Sequence, residues 1–180
     1  IAGLDRATHD VHVAYVPERD GAATPTADAL DGVEGITRLH VDLGHERTRD
    51  GRLPSTADAR DAIAAVRSMV RLARHIRRHD IRIIHTSDRP RDALASVVLA
   101  RLTRRRSVVH LHVLYSSWMG RVLQWSIRKA DARIAVSRFV ADSLASSGVH
   151  GPTHVVLNAI EPERWAPGVG RDEARAEFGI

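Results

Sequence analysis

The histidines His110 and His112 are the side chains in this sequence best placed to do chemistry. Both lie in the run Ser107 to Leu114, which is apolar enough to predict a buried strand. Because side chains alternate along a strand, both rings fall on one face. Imidazole exchanges protons and hydrogen bonds near neutral pH, and ligands of open parallel sheets sit beyond the carboxyl ends of the strands. We therefore favour His112 as a candidate catalytic residue. The alternative is a histidine that only hydrogen-bonds to a neighbouring loop.

A second polar cluster follows the strand predicted over Ile81 to His85, where Asp88 and Arg89 come within four residues. The guanidinium of Arg89 or Arg91 can hold a phosphate or a carboxylate at two points. Pro90, however, is typical of the first position of a helix, and Asp88 can simply cap that helix. The sequence leaves both interpretations open.

Positioning these groups requires an alternation of strands and helices. Apolar runs do alternate with amphipathic helical segments, which predicts an α/β fold, a doubly wound parallel sheet with helices on both faces. Further strands are predicted over Val11 to Val16, Gly35 to Leu43, Ile134 to Val136 and Thr153 to Leu157. Helices are predicted from Ser55 or Thr56 to about His79, and over Pro90 to Leu102, Ser117 to Lys129 and Arg171 to Phe178. Gly44 to Ser55 is predicted to be a loop, and Ile1 to Ala7 the end of an earlier helix.

The stretch from Ala130 to Trp165 carries a distinctive order of residues, AD-x-x-IAVS-x-F and then VV-x-NAI-x-PERW. It predicts a strand, a helix capped by Ser137 and closed by Gly148, a second strand and a polar loop. This order resembles the end of the N-terminal domain of family 4 glycosyltransferases, which have the GT-B fold. In one departure, Ala159-Ile160-Glu161 stands where the family usually has Gly-Val-Asp, so a residue that tolerates unusual backbone angles is lost.

The resemblance implies that residues 1–165 form a Rossmann-like, acceptor-side domain that lacks its first strand and glycine loop. Residues 166–180 would be the interdomain linker and the start of a second domain, which binds the nucleotide sugar. The signature of that second domain, two glutamates separated by seven residues, has no match here. The implied activity is that of a retaining glycosyltransferase of carbohydrate biosynthesis. It moves a hexosyl group from a nucleotide diphosphate sugar to a hydroxyl of a sugar, lipid or small-molecule acceptor, and the fragment alone is expected to be inactive.

The resemblance also implies roles for individual residues. His112 matches a family histidine that contacts the transferred sugar at the reaction centre. The residues expected to bind substrate are Asp88, Arg89, Arg91, Trp118, Ser137 and Asn158. Within this set, Ser137 is favoured as a helix cap and Asn158 as a structural residue of the cleft floor. No cofactor and no obligatory metal are implied, and the donor diphosphate is expected to bind mainly to the second domain.

The amino-acid composition limits the kinds of binding partner that are expected. The net charge is +5, and Lys129 is the only lysine, so the basic surface is almost entirely arginine. Arginine suits phosphate-bearing partners, although a genome-wide preference for arginine codons explains the bias equally well. Aromatic residues make up only 4%, which leaves few stacking platforms, and no nucleic-acid partner is expected. The absence of cysteine fits a cytoplasmic protein, and no apolar stretch approaches the roughly 20 residues that span a bilayer.

The long predicted helix has a cationic face. Its arginines are Arg60, Arg67, Arg71, Arg74 and Arg78, and the apolar residues Ile63, Val66, Met69, Val70 and Ile76 lie broadly opposite. A solvated face explains the arginines; the alternative is peripheral contact with an anionic membrane, to which each arginine would contribute about 1 kcal/mol.

Two alternatives to the transferase also stay open, a related sugar-nucleotide epimerase and a non-enzymatic α/β binding module. A dinucleotide oxidoreductase is disfavoured because no G-x-G-x-x-G follows a predicted strand.

Overall fold

A computed structural model describes residues 4–19, 22–43, 56–159, 168 and 170–179, and these ranges contain eight strands and six helices. The strands are β1 (Val11–Tyr15), β2 (Glu18–Arg19), β3 (Ala22–Ala23), β4 (Ile36–His40), β5 (Ile83–Ser87), β6 (Arg106–Leu111), β7 (Ala132–Ala135) and β8 (Thr153–Val155). The helices are α1 (Pro25–Leu30), α2 (Thr56–Arg78), α3 (Pro90–Thr103), α4 (Arg121–Lys129), α5 (Arg138–Ser146) and α6 (Arg171–Glu177).

The main sheet is parallel, with the strand order β5-β6-β7-β8. Its register pairs Ser87 with His110, and His110 with Ile134. Strands β1 and β4 form a second parallel pair, and β2 and β3 a short antiparallel one. Helices cover both sides of the sheets, which confirms the predicted α/β architecture. Because all four strands of the main sheet run the same way, the residues that follow them meet along one edge.

Two apolar clusters hold this arrangement together. The larger one joins β6 and β7 to α3, α4 and α5, and its innermost side chains include Val97, Val109, Leu111, Ile127 and Leu144. The smaller one joins Val41, just beyond β4, to Leu72, Ala73 and Ile76 of α2 and Leu99 of α3. Each fully buried Val, Leu or Ile contributes about 1.5–3 kcal/mol. Since α3 supplies residues to both clusters, its first turn is anchored next to the ends of β5 and β6.

One charged side chain, Arg133 of β7, lies inside the fold and is only 2% exposed. Its guanidinium donates to the backbone oxygens of Ile127 (2.8 Å), Arg128 (3.0 Å) and Ala130 (3.1 Å) at the end of α4. It also donates to the oxygen of His150, at 3.1 Å. The last carbonyl groups of a helix lack partners within the helix, so Arg133 supplies the donors that they need. This cap ties β7 to the end of α4 and to the loop before β8.

Most predicted elements are present, and local chemistry explains where they begin and end. Ser137 accepts a hydrogen bond from the backbone N–H of Val140 at 3.2 Å and is the N-cap of α5, as predicted. Pro90 occupies the first turn of α3, also as predicted. Gly148 adopts φ +67, the left-handed conformation that ends a helix with least strain in glycine. The long helix α2 also ends within a residue of its predicted end.

Several predicted boundaries were wrong, among them those of β5, β6 and α4. Strand β5 begins at Ile83 rather than Ile81, because Ile81 donates its N–H to Ile76 (3.0 Å) to close α2 and packs in the smaller cluster. Strand β6 ends at Leu111 rather than Leu114. Helix α4 begins at Arg121 rather than Ser117, because the residues before Gly120 form a turn. As a result, Thr86 and Ser87 belong to β5 and only the residues from Asp88 onward follow it.

Other predictions concern the first third of the chain. The described residues 4–8 form a turn rather than the end of a helix, and the antiparallel pair β2–β3 and helix α1 were not predicted. The predicted loop over Gly44 to Ser55 lies outside the described residues, and α2 begins at Thr56. The segment from Ile160 to Pro167, within the predicted linker and polar loop, also lies outside them.

The cationic face of α2 is solvent-exposed at Arg67, Arg71, Arg74 and Arg78, and the side chain of Arg60 lies outside the described residues. The opposite face is only partly packed. Ile76 is 4% exposed, whereas Ile63, Val66 and Val70 are 53%, 62% and 43% exposed. Among the described residues, none of the helices combines the length and the apolar character needed to cross a membrane.

A carboxylate between β6 and β7 makes stability depend on pH. Asp131 accepts hydrogen bonds from the backbone N–H and the hydroxyl of Ser107, at 2.9 and 3.0 Å, and from Arg106 at 3.1 Å. Burial raises the pKa of the Asp131 carboxyl, but the hydrogen bonds from Ser107 and Arg106 outweigh burial and hold that pKa below its usual range. A depressed pKa stabilises the fold above the unfolded-state pKa, and the contribution is lost as the pH falls through the folded-state pKa.

We expect Asp131→Asn to lower the free energy of unfolding by about 2 kcal/mol at neutral pH, because a hydrogen-bonded charge is lost. The difference from the wild type should shrink in acid, where the wild-type carboxyl is itself protonated. Urea unfolding of both proteins at neutral and acidic pH measures this. Asp142→Asn, at an exposed position of α5, is the control and should change little. A penalty for Asp131→Asn that stays the same in acid would contradict the assignment.

Candidate functional site

The loops after β5 and β6 are joined by a direct hydrogen bond. The backbone N–H of His112, the first residue after β6, donates to Oδ2 of Asp88 at 2.8 Å. Asp88 therefore does not act as the cap of α3, contrary to one of the two sequence interpretations. The N-cap position belongs to Arg89, which makes no capping hydrogen bond through its side chain. The turn beyond β5 and the histidine beyond β6 thus lie at the same place on the sheet edge.

Three imidazoles line up along this edge. The rings of His110 and His112 lie 4.4 Å apart, on one face of β6 as the strand period predicts. The ring of His85 from β5 stacks on that of His110 with centroids 5.6 Å apart. His112 is exposed to solvent, whereas Nε2 of His110 is buried and has no hydrogen-bond partner among the described residues. A ligand that reaches the edge therefore meets His112 first.

The surroundings of His110 and His85 favour their neutral forms. Burial lowers the pKa of His110, and the nearby His112 and His85 lower it further, while Asp88 acts in the opposite direction. Burial likewise lowers the pKa of His85, with a smaller contribution from His112. A neutral imidazole carries one donor and one acceptor nitrogen. At neutral pH these two rings thus offer hydrogen bonds rather than positive charge.

An open hollow of about 720 Å³ lies at the starts of α3 and α4. It is bounded by Pro90 at the start of α3 and by the segment from Ser117 to Gln124, which includes Trp118 and Gly120. The indole of Trp118 is 65% exposed. An exposed indole offers an apolar face and one N–H donor, a combination suited to a ring that is apolar on its faces and polar at its rim. The hollow has room for a group the size of a sugar.

The arginines after β5 differ in their surroundings. Arg91 forms an ion pair with its neighbour Asp92, with Nε and Oδ1 3.0 Å apart, and is partly buried. Arg89 is exposed, at the point where the chain turns from β5 into α3. Arg89 is therefore more accessible to an anionic group than Arg91 is.

The remaining residues named from the sequence divide between structure and site. The hydroxyl of Ser137 is engaged in capping α5, as described above. Asn158 is exposed beyond the end of β8, on the same edge as the loops after β5 and β6. Tyr115, in the same loop as Trp118, is only 5% exposed, and its hydroxyl accepts a hydrogen bond from Arg128 at 2.9 Å. Tyr115 thus fixes the loop to α4 and is not available to a ligand.

Two features of the site were missed from the sequence. His85 was treated as part of a strand only, although the later start of β5 moves its ring into the body of the strand, beside His110. Gly120, which lines the hollow, was assigned to a helix predicted to begin at Ser117, whereas the helix begins at Arg121. Once β5 is set two residues later, parallel register places His85 opposite Val108 of β6, and the sequence Ile-Ile-His-Thr-Ser gave no signal of this.

The fold and this edge define a class of proteins, the doubly wound α/β domains that bind ligands beyond the carboxyl ends of parallel strands. Residues 1–164 match the glycosyltransferase family 4 domain, and the chain belongs to that family. Among curated proteins, none matches this chain.

Ten chains of known structure match it. One is the crystal structure of Anabaena Alr3699/HepE in complex with UDP, with 16% sequence identity and a TM-score of 0.56. The match covers 91% of this chain and 43% of the Anabaena chain, so this chain spans less than half the length of that protein. At this level of identity, the likeness supports the fold alone.

Proposed function

We propose that this chain is the acceptor-side half of a retaining glycosyltransferase, which moves a sugar from a nucleotide diphosphate sugar to an acceptor hydroxyl. The observation that carries the proposal is the junction of His112 and Asp88 at the edge of the sheet, within a chain of glycosyltransferase family 4. The bound UDP of the Anabaena protein is compatible with a nucleotide-linked donor. A second domain, beyond residues 1–180, would hold the donor diphosphate.

In this proposal, His112 binds the sugar that is transferred. Its backbone is held by Asp88, and its ring projects beyond β6 next to two rings that are neutral at neutral pH. A hydrogen-bond donor held in position in advance loses little energy to reorganisation when charge shifts in the transition state. His112 thus orients the sugar by hydrogen bonding, while stabilisation of the departing diphosphate falls to the second domain.

The acceptor would occupy the hollow at the starts of α3 and α4. Trp118 would cover one face of the acceptor and Pro90 would bound the other side. The exposed Arg89 stands at the rim and would hold a phosphate or carboxylate if the acceptor carries one. Arg91 and Asn158 would contribute at the edges of the site, and Ser137 only through the position of α5.

The proposal is tested with the intact protein that contains this chain. The protein is incubated with nucleotide diphosphate sugars and a panel of hydroxyl acceptors, and release of nucleoside diphosphate is measured with and without acceptor. We expect acceptor-dependent release and, by NMR, a product with the anomeric configuration of the donor. Inversion of that configuration would contradict the retaining mechanism. An isomerised nucleotide sugar without transfer would favour the epimerase, and binding without turnover a non-enzymatic module.

Peripheral contact of α2 with an anionic membrane stays a prediction. The exposed row Arg67, Arg71, Arg74 and Arg78 is compatible with it, and the partly exposed apolar side chains on the same helix leave surface that is not covered within the described residues.

A further inference from the structure

A histidine cluster lies away from the candidate sugar site and shares no residue with it. It consists of His12 on β1 and of His75 and His79 at the end of α2. One nitrogen of each ring lies within 4.8 Å of the others. Three imidazoles drawn from two separate elements to one point are more than the packing of a helix against a strand requires.

The hydrogen bonds around His12 define which nitrogen faces the cluster. Nε2 of His12 lies 3.0 Å from Oδ2 of Asp10, so it carries the proton and donates to the carboxylate. Nδ1 of His12 then presents its lone pair to the cluster, where Nε2 of His75 lies 2.9 Å away. A carboxylate behind a histidine is the arrangement that orients imidazole ligands in metal sites and makes them more basic.

The helix end is itself held rigidly. His79 donates its backbone N–H to His75 at 3.0 Å, which keeps the two rings one turn apart on one face, with centroids separated by 4.2 Å. Asp80 follows with φ 49 and pairs with Arg105 at 2.8 Å. The two helix histidines therefore reach the cluster from a fixed backbone.

The surroundings of the cluster suit metal binding. Imidazole nitrogens are the commonest metal ligands in proteins. The side chain of His12 is only 6% exposed, so water competes little for its nitrogen.

We propose that His12, His75 and His79 form a binding site for Zn²⁺, with Asp10 as the carboxylate that orients His12. Zinc binds imidazole nitrogen at about 2.0–2.1 Å in tetrahedral geometry, which separates ligand nitrogens by about 3.3 Å. The present separations, between 2.9 and 4.8 Å, bracket that value, so small side-chain rotations complete the set. A water molecule would be the fourth ligand. Imidazole ligands exclude Mg²⁺ and Ca²⁺, which require oxygen.

Bound zinc would cross-link two elements of the fold. It joins β1, and through it the β1–β4 pair, to the end of α2, whose other face packs in the smaller apolar cluster with α3. Zinc that binds the folded but not the unfolded chain stabilises the fold in proportion to its saturation.

The test uses the intact protein, purified without a histidine tag, stripped of metal with a chelator and dialysed. Zinc chloride is titrated by calorimetry, and thermal unfolding is followed with and without zinc. We expect binding at one zinc per chain and a higher Tm. Co²⁺ in place of zinc should give the visible absorption bands of a tetrahedral site.

Graded variants separate the site from adventitious binding. His79→Gln removes a ligand at an exposed position, where folding should be unaffected, and should abolish the binding, the Tm shift and the Co²⁺ bands. Asp10→Asn should weaken zinc about 10–100-fold. His154→Gln, an exposed histidine on β8, is the matched control and should bind as the wild type does. The proposal is overturned if the wild type shows no zinc-dependent rise in Tm, or if His79→Gln binds zinc as tightly as the wild type.

Discussion

Replacing Arg133 by methionine should lower the free energy of unfolding by at least about 3 kcal/mol, the largest stability effect that we expect from a single substitution in this chain. The guanidinium is buried and donates to four backbone oxygens, three at the end of α4 and one before β8. Methionine fills a similar volume without any donor. The carbonyl groups would then stay buried and unpaired, and each loses its hydrogen bond at a cost of about 1–3 kcal/mol.

The measurement is urea unfolding of the intact protein, followed by tryptophan fluorescence. Arg121→Met is the control, because Arg121 is exposed at the start of the same helix, and surface substitutions usually change stability by less than about 0.5 kcal/mol. Lysine at position 133 should rescue little, since a single ammonium group does not span the four acceptors as the planar guanidinium does. Equal losses for Arg133→Met and Arg121→Met would show that Arg133 does not cap α4.

Gly151 offers an independent check on the same contact. It has φ +108, and a Cβ added there would lie 3.0 Å from a terminal nitrogen of Arg133. Gly151→Ala should therefore destabilise the protein both by backbone strain and by displacing the guanidinium. In the background of Arg133→Met there is no guanidinium to displace. The double variant should therefore lose less stability than the sum of the losses of the two single variants.

Elements whose ends depend on nearby residues were predictable from the sequence. The cap of α5 by Ser137 and the proline at the start of α3 involve partners three residues away or fewer, and both were found. Helix α4 shows the opposite case, because its N-cap is Gly120, which has no side chain to accept a hydrogen bond. No capping side chain therefore marked the start of α4, and the helix was predicted to begin too early, at Ser117.

Features that depend on distant partners were not predictable. Arg133 in the strand sequence Ala-Arg-Ile-Ala gives no sign of burial, because the carbonyls that accept its hydrogen bonds belong to another element. The same holds for Asp88, whose neighbour Pro90 indicated a helix cap, while the carboxylate binds a residue 24 positions away. His12 has no local signal at all, although the spacing of His75 and His79 by one helical turn was visible in the sequence.

The position of His112 was predictable because two general rules coincide there. Strand alternation sets the direction of its ring relative to His110, and parallel order sets the edge at which it lies. Its junction with the turn after β5 needed the structure. The sequence selected His112 by its location alone. The structure adds that the hydrogen bond to Asp88 holds its backbone in place.

His112→Ala in the intact protein should reduce kcat/KM by about 100-fold or more, because removal of one donor that stabilises a transition state has an effect of this size. Folding should be unaffected, since the ring is exposed and the backbone bond to Asp88 remains possible. Thermal unfolding checks the fold, and initial rates of acceptor-dependent transfer check the chemistry. His154→Ala, an exposed histidine on β8, should retain the wild-type rate.

A second variant separates the ring from its support. Asp88→Ala leaves the imidazole in place but removes the acceptor that holds its backbone, so it should lower kcat/KM by less than His112→Ala does. Because both changes act on one group, their effects should not add in the double variant. Near-normal turnover of His112→Ala, with the fold intact, would remove His112 from the mechanism and leave the hollow beside Trp118 as the remaining candidate for substrate contact.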